Sequence, residues 1–332
     1  MENTIDVITI GRVSMDLFAT DVGANFEDIT GFANGVGGSP SNIAIGTSRL
    51  GLNVVLMTAV GQDRVGDFVL RSLRDDGVNV NYIPRKSQGQ TGLAILGVQP
   101  PDQFPLTFYR QDPADIYIDI DDIDALPLEQ TTRFLISGTA VSRGDCVHAT
   151  LYAGERARAL GVIVYADLDL RPDQWRHKRA YGVMMRTLWS SLDVVIGTEE
   201  ELYAALAPNP DVVMDGGRVS AEMQTELSNI LNAMPHKPTI VRKLGSDGVA
   251  ITPSGENTIH VPGYPVEILN TVGAGDAFAS GLLYGRTQGW DWRKSGRFAN
   301  ACGAIVVTRH GCGTAMPTVA EVETFVSSRG GL

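Results

Sequence analysis

The stretch Asn270-Thr271-Val272-Gly273-Ala274-Gly275-Asp276-Ala277-Phe278 decides the fold prediction for this chain. It is a polar, glycine-rich turn that runs directly into an apolar helical pattern. The amides of Gly273, Ala274 and Gly275, with the free amides and positive dipole end of the next helix, form an anion site. Asp276 lies in the first turn, where a carboxylate beside bound phosphate is unfavourable unless it has a task. The stretch therefore predicts phosphoryl transfer, in which Asp276 takes a proton from an attacking hydroxyl group.

A purely structural interpretation of this stretch stays open at this point. An Asp in a first helical turn commonly complements the helix dipole or caps free amides. The Gly-Ala-Gly sequence alone is also typical of a tight turn, and short motifs occur in many unrelated chains. The rest of the sequence must decide between the two interpretations.

The composition is typical of a soluble globular protein. The chain has 332 residues, of which 43% are hydrophobic and 20% charged, enough for one large α/β domain or two small ones. Its formal charge of −11 argues against nucleic acid or an anionic membrane as a partner. No apolar run reaches the length of a membrane span, and residues 1–6 do not resemble a signal peptide. An anionic substrate such as ATP then needs Arg and Lys side chains placed locally.

The cysteines and histidines predict neither disulfides nor a zinc site. Cys146, Cys302 and Cys312 are odd in number and lack CxxC spacing, which favours reduced thiols in a cytoplasmic protein. None of the five histidines has the paired spacing of zinc ligands.

Hydrophobic periodicity predicts alternating strands and helices over most of the chain. Such alternation indicates a mostly parallel sheet with helices on both faces, and ligands bind beyond the carboxyl ends of its strands. The predicted strands include 5–10, 54–60, 78–80, 133–137, 162–167, 194–197 and 239–243. The predicted helices include 144–160, 173–188, 199–206, 219–233, 275–288, 292–307 and 318–328. Polar residues follow three of these strands, namely Asp169 and Arg171, Glu199 and Glu200, and Lys243 and Ser246.

Two regions in the amino-terminal third break this alternation. Segments 12–34 and 88–115 contain extended patterns without intervening helices, and Pro100-Pro101-Asp102 joins two of them. We predict that they form a small β-sheet that serves as a lid over a site; hairpins without that role are the alternative. The whole chain, 1–332, is predicted to be a single domain, because it has no internal repeat, low-complexity run or clear linker.

A second glycine-rich turn, Gly35–Ala44, also leads into a predicted helix. It is not a dinucleotide-binding fingerprint, because Pro40 occupies the position of a required glycine, and the chain has no P-loop motif.

Two motifs, one near each end of the chain, carry a resemblance to a known family. The segment Asn270–Gly281 and the segment Gly37–Ala44, followed by Gly61–Gly66, resemble the signatures of the ribokinase-like (PfkB) carbohydrate kinase superfamily. The resemblance covers nearly the full chain. It implies a three-layer α/β/α sandwich with a mostly parallel central sheet and a small β-sheet lid. It also implies a phosphotransferase that uses ATP and Mg²⁺ and has the alcohol group of a sugar as acceptor.

The resemblance also implies a role for each matching residue. On the catalytic side it makes Asp276 the base, and the amides of Gly273, Ala274 and Gly275 the anion hole. On the sugar side it places Asp16, Gly38 and Asn42 at the substrate hydroxyls. On the nucleotide side it implies contacts from Lys243, Gly245, Ser246 and Gly248 to phosphates and ribose, and from Asn300 to adenine.

The chain departs from the family pattern at two metal-related positions. Gly197 stands where the family often has the Asn of an Asn-x-x-Glu motif, while Glu200 remains to organise Mg²⁺ through water. Asn270 stands where an Asp usually serves the monovalent-cation loop. The resemblance therefore implies a K⁺ site with an uncharged oxygen, formed near Asn270, Val272, Thr308 and Gly313.

Two further motifs concern the substrate. Phe108–Asp115 and Asp167–Trp175 resemble segments of the sugar-acid kinases of this superfamily. The Tyr109-Arg110 pair is shared with 2-keto-3-deoxygluconate kinases. The Pro113-Ala114-Asp115 continuation and Gly11–Asp16 look more like the kinases of 5-dehydro-2-deoxygluconate in myo-inositol catabolism.

A carboxylate substrate that enters a protein of charge −11 needs a fixed cation, and Arg binds a carboxylate in a bidentate manner. The candidates are Arg110, Arg12 and Arg171, with Asp169 and Tyr109 in the same motifs; surface ion pairs are the alternative. Trp175 is predicted to be structural.

The residues and the resemblance together predict an ATP-dependent kinase that phosphorylates the terminal hydroxyl of a deoxy keto-sugar acid, 5-dehydro-2-deoxy-D-gluconate. The alternatives are a 2-keto-3-deoxygluconate or neutral-sugar kinase and, more distantly, a catalytically weak sugar- or nucleotide-binding regulator. The expected partners are a sugar acid and ATP, with no nucleic acid or membrane, and a homodimer is left open.

Overall fold

The computed structural model describes residues 4–99 and 105–332. In chain order, its strands are β1 (Ile5–Ile10), β2 (Ser14–Ala19), β3 (Phe32–Gly37), β4 (Val54–Met57), β5 (Val60–Gly61), β6 (Arg85–Lys86), β7 (Gly92–Leu96), β8 (Leu106–Tyr109), β9 (Thr131–Ser137), β10 (Ile163–Asp167), β11 (Val194–Gly197), β12 (Thr239–Lys243), β13 (Val249–Thr252) and β14 (Ile259–Val261). Its α-helices are α1 (Ser39–Arg49), α2 (Arg64–Asp75), α3 (Ile120–Asp124), α4 (Cys146–Ala159), α5 (Lys178–Leu188), α6 (Glu199–Leu206), α7 (Asp211–Met214), α8 (Ala221–Ala233), α9 (Ala274–Thr287), α10 (Trp292–Val306) and α11 (Val319–Ser327).

The main sheet has the strand order β14-β13-β12-β11-β10-β9-β1-β4. Six neighbouring strands run parallel to one another, namely β4, β1, β9, β10, β11 and β12. Strands β13 and β14 add an antiparallel edge. Helices cover both faces, so the predicted three-layer α/β/α sandwich is confirmed. Because the parallel strands share one direction, β1, β9, β10, β11 and β12 all end at the same edge of the sheet.

The alternation of side chains along β9 shows how the two cores are built. Leu135 faces one apolar cluster, which includes Leu282 of α9 and Phe298 of α10. Phe134 faces the other cluster, which includes Tyr181 of α5. Strands buried on both faces need continuous apolar runs, and these runs made the strands readable from the sequence.

A second, four-stranded sheet has the order β3-β2-β7-β8. Strand β2 pairs with β7 in parallel, and β3 and β8 are antiparallel to their neighbours. Strands β2, β7 and β8 lie within the predicted segments 12–34 and 88–115, while β3 continues to Gly37. The predicted joint at Pro100-Pro101-Asp102 lies outside the described residues.

Three predicted elements are wrong. The predicted strand 54–60 divides into β4 of the main sheet, which ends at Met57, and β5, which pairs with β6 in a separate two-stranded sheet. Residues 78–80 do not form a strand, since only an isolated bridge joins Asn79 to Val55. The predicted helix 173–188 instead begins at Lys178, after a short 3₁₀ turn at Pro172–Gln174. Trp175 has extended backbone between the two, because its side chain packs edge-on against Tyr181 with ring centroids 5.3 Å apart. Among the described residues, no helix has the length and apolar character to cross a membrane.

Candidate active site

The predicted anion hole lies at the amino terminus of α9. Gly273 precedes the helix with φ of +83°, a left-handed conformation that suits glycine, and no side chain caps the first amides. The amide of Ala274 donates to the carbonyl oxygen of Thr271 at 3.3 Å, whereas the amide of Gly275 remains available to an anion. A Cβ atom on Gly275 would lie 3.4 Å from Nζ of Lys243, so a fixed cation stands directly beside this anion site.

Asp276 lies in the first turn of α9 and is half-buried. The side-chain amide of Asn42, in the first turn of α1, donates a 2.8 Å hydrogen bond to its Oδ2. Burial raises the pKa of Asp276, the charge of Asp169 raises it further, and the Asn42 hydrogen bond opposes both effects. A raised pKa makes this carboxylate a stronger base than an exposed Asp, which suits removal of a hydroxyl proton.

Close packing of α1 on α9 fixes the distance between these two residues. Gly46 faces Ser280, and a Cβ atom at Gly46 would lie 2.5 Å from Oγ of Ser280. The Ser280 hydroxyl donates to the carbonyl oxygen of Ile43 at 3.2 Å. The two helices thus approach closely because small residues face each other at the contact.

Asp16 on β2 forms the sugar-facing side of the predicted site. Its carboxylate is buried and accepts a 2.7 Å hydrogen bond from Oγ of Ser14, and burial raises its pKa. The carboxylate fills the space where a side chain on Gly37 would stand. Gly38 has φ of +101°, and a Cβ atom there would lie 2.5 Å from the carbonyl oxygen of Arg12. Both glycines are therefore required by the close approach of β2 and β3.

Arg12 is buried just before β2, with 7% of its surface exposed. Its guanidinium carbon lies 5.2 Å from the ring centroid of Phe108, and its Nε atom has no hydrogen-bond partner among the described residues. Burial lowers the pKa of Arg12, and the charge of Asp169 opposes this effect. A buried guanidinium with an unused donor is costly unless a ligand completes it.

Arg110 is committed to an internal ion pair. Its Nη1 and Nη2 atoms donate to the two carboxylate oxygens of Asp115 at 2.9 Å, and Nη1 also donates to the carbonyl oxygen of Val13 at 2.8 Å. Both side chains of the pair are about 95% buried, with 4% and 5% exposed. Asp115 also accepts from the amide of Val13 at 3.0 Å. Arg110 therefore ties the small sheet to the segment that carries Arg12, rather than presenting a free fork to a ligand.

Arg171 and Asp169 form a second pair beyond β10. Nε of Arg171 donates to Oδ1 of Asp169 at 2.9 Å, and Arg171 keeps 49% of its side chain exposed. Asp169 is buried with a strained φ of +33°, and Oγ of Ser137 donates to its Oδ2 at 3.2 Å. Burial would raise the pKa of Asp169, but the charges of Arg171 and Arg12 outweigh it and lower the pKa. Arg171 therefore presents a charged, reachable guanidinium.

A carboxylate pair around Lys243 was missed by the sequence reasoning. Nζ of Lys243 lies 3.4 Å from Asp167 and 3.6 Å from Glu201. Burial raises the pKa of Asp167 to about 7, with Lys243 opposing, and its Oδ2 atom is buried without a partner among the described residues. The strand pattern placed Asp167 at the end of β10, but only the fold brings Glu201, in the first turn of α6, to the other side of Lys243.

Glu200, the predicted magnesium residue, points elsewhere. Its carboxylate lies 3.4 Å from Arg218 at the protein surface. Glu201 instead caps α6 with Thr198 and accepts a hydrogen bond from the amide of Leu170 at 3.2 Å. Both residues lie in the first turn of α6, where successive side chains point roughly 100° apart, so Glu200 and Glu201 face different surroundings. Oxygen donors such as Asp167 and Glu201 fit Mg²⁺ held through water.

An apolar cavity of about 370 Å³ adjoins the anion hole. Its lining includes Tyr264, Val266 and Phe278. It also includes every residue predicted to contact the nucleotide, namely Lys243, Gly245, Ser246, Gly248 and Asn300. The amide of Asn300 donates to the carbonyl oxygens of Val261 and Pro262, at 3.1 and 3.0 Å, so it braces the wall of the cavity. The size and apolar lining suit a planar base.

The predicted monovalent-cation residues lie on two adjacent loops. The amide of Asn270 donates to the carbonyl oxygen of Val307 at 3.1 Å, which joins the loop before α9 to the end of α10. Oδ1 of Asn270 accepts a 2.9 Å hydrogen bond from the amide of Val272. Thr308 donates its hydroxyl to the carbonyl oxygen of Ile305 at 2.7 Å. A Cβ atom on Gly313 would lie 3.6 Å from Oδ1 of Asn42, which places Gly313 towards the sugar side.

Tyr109 does not reach the site. It is 60% exposed near the end of β8, while its neighbour Phe108 stacks on Arg12. Successive side chains of a strand point to opposite faces, so only one of the two can face inwards. The motif containing Tyr109 was informative, but the contact residue in it is Phe108.

The geometry defines a class of enzyme. An uncapped helix terminus with an adjacent lysine, a carboxylate base and an apolar nucleotide-sized cavity together make a phosphotransferase that acts on a hydroxyl acceptor. Residues 4–319 match the model of the pfkB family carbohydrate kinases, and the chain belongs to that family. The predicted recognition of this family and of its ribokinase-like fold is thus confirmed.

Individual relatives agree with this assignment. The chain is 34% identical over 329 residues to 5-dehydro-2-deoxygluconokinase of Geobacillus kaustophilus, with 98% of this chain and 94% of the relative covered. The fructokinase of Xylella fastidiosa, solved with bound ATP, has a TM-score of 0.81 at 25% identity and covers 99% of both chains. The fructokinase of Vibrio cholerae, solved with fructose, ADP and calcium, has a TM-score of 0.81 at 23% identity and covers 98% of this chain and 99% of its own. This chain is a sugar kinase.

Proposed function

We propose that this protein transfers the γ-phosphoryl group of ATP to the terminal hydroxyl of 5-dehydro-2-deoxy-D-gluconate. The observation that carries the proposal is Arg12, a buried guanidinium with an unpaired Nε on the sugar side of the site. A neutral sugar does not compensate such a charge, whereas the carboxylate of a sugar acid does. The similarity to a 5-dehydro-2-deoxygluconokinase supports the same substrate.

The carboxylate would be held by Arg12 and by Arg171, which keeps half of its side chain exposed. Asp169 orients Arg171 through its 2.9 Å contact. Arg110 takes a supporting role in this proposal, because Asp115 already occupies both of its terminal nitrogens. Asp16, Asn42 and the backbone at Gly38 would bind the sugar hydroxyls, and Tyr109 has no part.

The proposed chemistry follows from the position of Asp276. Asp276 takes the proton of the terminal hydroxyl, whose oxygen then bonds to the γ-phosphorus as the bond to the bridging oxygen breaks and ADP leaves. The amide of Gly275 and the Lys243 ammonium stabilise the charge on the phosphoryl group. Mg²⁺, when bound, neutralises charge on the nucleotide phosphates. Asp167, whose Oδ2 has no partner among the described residues, would hold this ion together with Glu201, in place of Glu200.

Further elements of the proposal concern the surroundings of the site. The chain forms one kinase domain in this proposal. Its small sheet acts as a lid, since Phe108 of that sheet contacts Arg12. A K⁺ ion would bind near Asn270, Val272, Thr308 and Gly313. The exposed Phe32 and Leu106 of the small sheet support a homodimer. The three buried, unpaired cysteines support a cytoplasmic location.

A panel of substrates with an ADP-release assay tests this function. The candidates are 5-dehydro-2-deoxy-D-gluconate, 2-keto-3-deoxygluconate and fructose. We expect the highest kcat/KM with the first and the lowest with fructose. A preference for 2-keto-3-deoxygluconate or fructose would contradict the substrate but keep the kinase. Thermal stabilisation by a sugar acid without any ADP release would favour a binding regulator instead.

A further inference from the structure

A second cavity, of about 510 Å³, opens at the edge of the main sheet opposite Asp276. It lies where β9, β10, β11 and β12 begin, between Arg286 in the last turn of α9 and Trp292 at the start of α10. Because the strands are parallel, this edge is far from the ends where the active site is built. The cavity shares no lining residue with the site described above.

The cavity has an excess of positive charge. Three guanidinium groups line it, those of Arg133, Arg158 and Arg286, and Asp193 is the single carboxylate among its described lining residues. Arg158 lies 3.3 Å from Asp193, with 44% and 40% of the two side chains exposed. Within a chain of net charge −11, a local excess of two positive charges favours an anionic ligand.

Arg133 is an unusual residue for its position on the sheet. It pairs in register with Val7 and Ile163 within the sheet, where apolar residues are expected. Its Nη2 donates to the carbonyl oxygen of Arg286 at 2.7 Å and so caps the end of α9, which is a structural role. That contact leaves its Nε buried without a partner among the described residues.

Two aromatic residues complete the lining. The guanidinium carbon of Arg286 lies 4.0 Å from the ring centroid of Trp292, a stacked contact that holds the group in one orientation. Burial raises the pKa of Tyr165, whose ring also lines the cavity, so its hydroxyl remains a neutral donor. Preorganised donors lose little entropy when they bind an anion.

We propose that this cavity binds a small molecule through a phosphate monoester group. A phosphate dianion balances the excess of two positive charges, whereas a single carboxylate leaves one uncompensated. Planar guanidinium groups match phosphate oxygens in a bidentate manner. The volume exceeds that of free phosphate and lies within the range of about 300–1,000 Å³ typical of small-molecule sites. The ligand is thus a sugar phosphate or a nucleotide.

Binding by the full chain, measured by calorimetry at fixed ionic strength, tests the proposal. Glucose 6-phosphate is titrated with the active site saturated by Mg²⁺ and a non-hydrolysable ATP analogue, and the stoichiometry of that analogue is measured separately. The variant is Arg158→Gln, since Arg158 is exposed enough to change without loss of folding. Arg71→Gln is the matched control, because Arg71 forms a comparable exposed pair with Asp75 at 3.7 Å.

For a sugar phosphate, we expect glucose 6-phosphate to bind wild type and Arg71→Gln, and its Kd to rise at least about tenfold in Arg158→Gln, the effect of one lost charge-assisted contact. For a nucleotide, we expect two equivalents of the ATP analogue in wild type and one in Arg158→Gln. Either result supports the site. Equal binding of every probe by wild type and Arg158→Gln, or an absence of both signals in wild type, would overturn it. Since ADP release with sugars is measured separately, failure here leaves the proposed kinase function intact.

Discussion

Asn42 and Asp276 are 234 residues apart in the chain, yet the amide of Asn42 donates a 2.8 Å hydrogen bond to the Asp276 carboxylate. This contact joins the first turns of α1 and α9, whose amino ends meet at the same edge of the sheet. It holds the proposed base in one orientation and, by favouring its charged form, keeps it ready to accept a proton. The two glycine-rich motifs recognised in the sequence thus form one constellation.

Arg12 is expected to discriminate between acids and neutral sugars. Arg12→Gln should raise KM for the sugar acid about 10- to 100-fold, the range expected for loss of a hydrogen bond to a charged group. Activity with fructose should change little. Steady-state kinetics on both substrates measure the difference, and an equal loss on both would refute the carboxylate role.

Arg110 is expected to act on stability. Arg110→Ala leaves the Asp115 carboxylate buried and unpaired, which should reduce the free energy of unfolding by about 3–5 kcal/mol. Asp115→Asn is the matched change on the other partner, and it should also destabilise the protein. Denaturant unfolding measures both. Unchanged stability in Arg110→Ala, with lost activity on sugar acids alone, would return Arg110 to the substrate site.

The pH dependence of stability should reveal Asp167. Its pKa is about 7 in the folded protein and 3.8 ordinarily, so the folded state binds the extra proton between these values. The folded carboxyl therefore contributes stability at low pH that is lost as the pH rises from about 4 to about 7. Asp167→Asn should remove this fall, and its melting temperature should change less over that range than that of wild type. Parallel pH profiles for the two proteins would count against the raised pKa.

Gly46 is expected to control the approach of α1 to α9. Gly46→Ala would place a Cβ atom 2.5 Å from Oγ of Ser280, and overpacking of this kind should cost about 1–3 kcal/mol. Gly154 in α4 is the matched control, because a Cβ atom there meets nothing closer than 3.4 Å. Gly154→Ala should be neutral or stabilising, as expected of Ala in a helix interior. Thermal unfolding of both variants measures the contrast; equal effects would show that the close contact does not matter.

The sequence was sufficient for the sheet, the helices and the motif residues, because buried parallel strands are continuous apolar runs and the glycine-rich turns are local. It was insufficient where a role depends on partners. Nothing in the local pattern around Arg110 shows that its two terminal nitrogens donate to the carboxylate of Asp115. The predicted helix 199–206 has the observed bounds of α6, but which of its first-turn carboxylates faces Lys243 depends on how α6 packs beside β10 and β12, and the local sequence does not show that Glu201 takes this place. Tyr109 and Phe108 likewise differ only in which face of β8 they occupy.

The central claim is that Asp276 is the base of a phosphotransferase. The most direct measurement is kcat for ADP release in Asp276→Asn with saturating ATP and 5-dehydro-2-deoxy-D-gluconate, beside the Kd of each substrate. The Asn side chain keeps the shape and can still contact Asn42, so folding and both Kd values should hold. We predict that kcat falls by about 10²-fold or more, the contribution typical of a general base. A kcat within a few-fold of wild type would contradict the account.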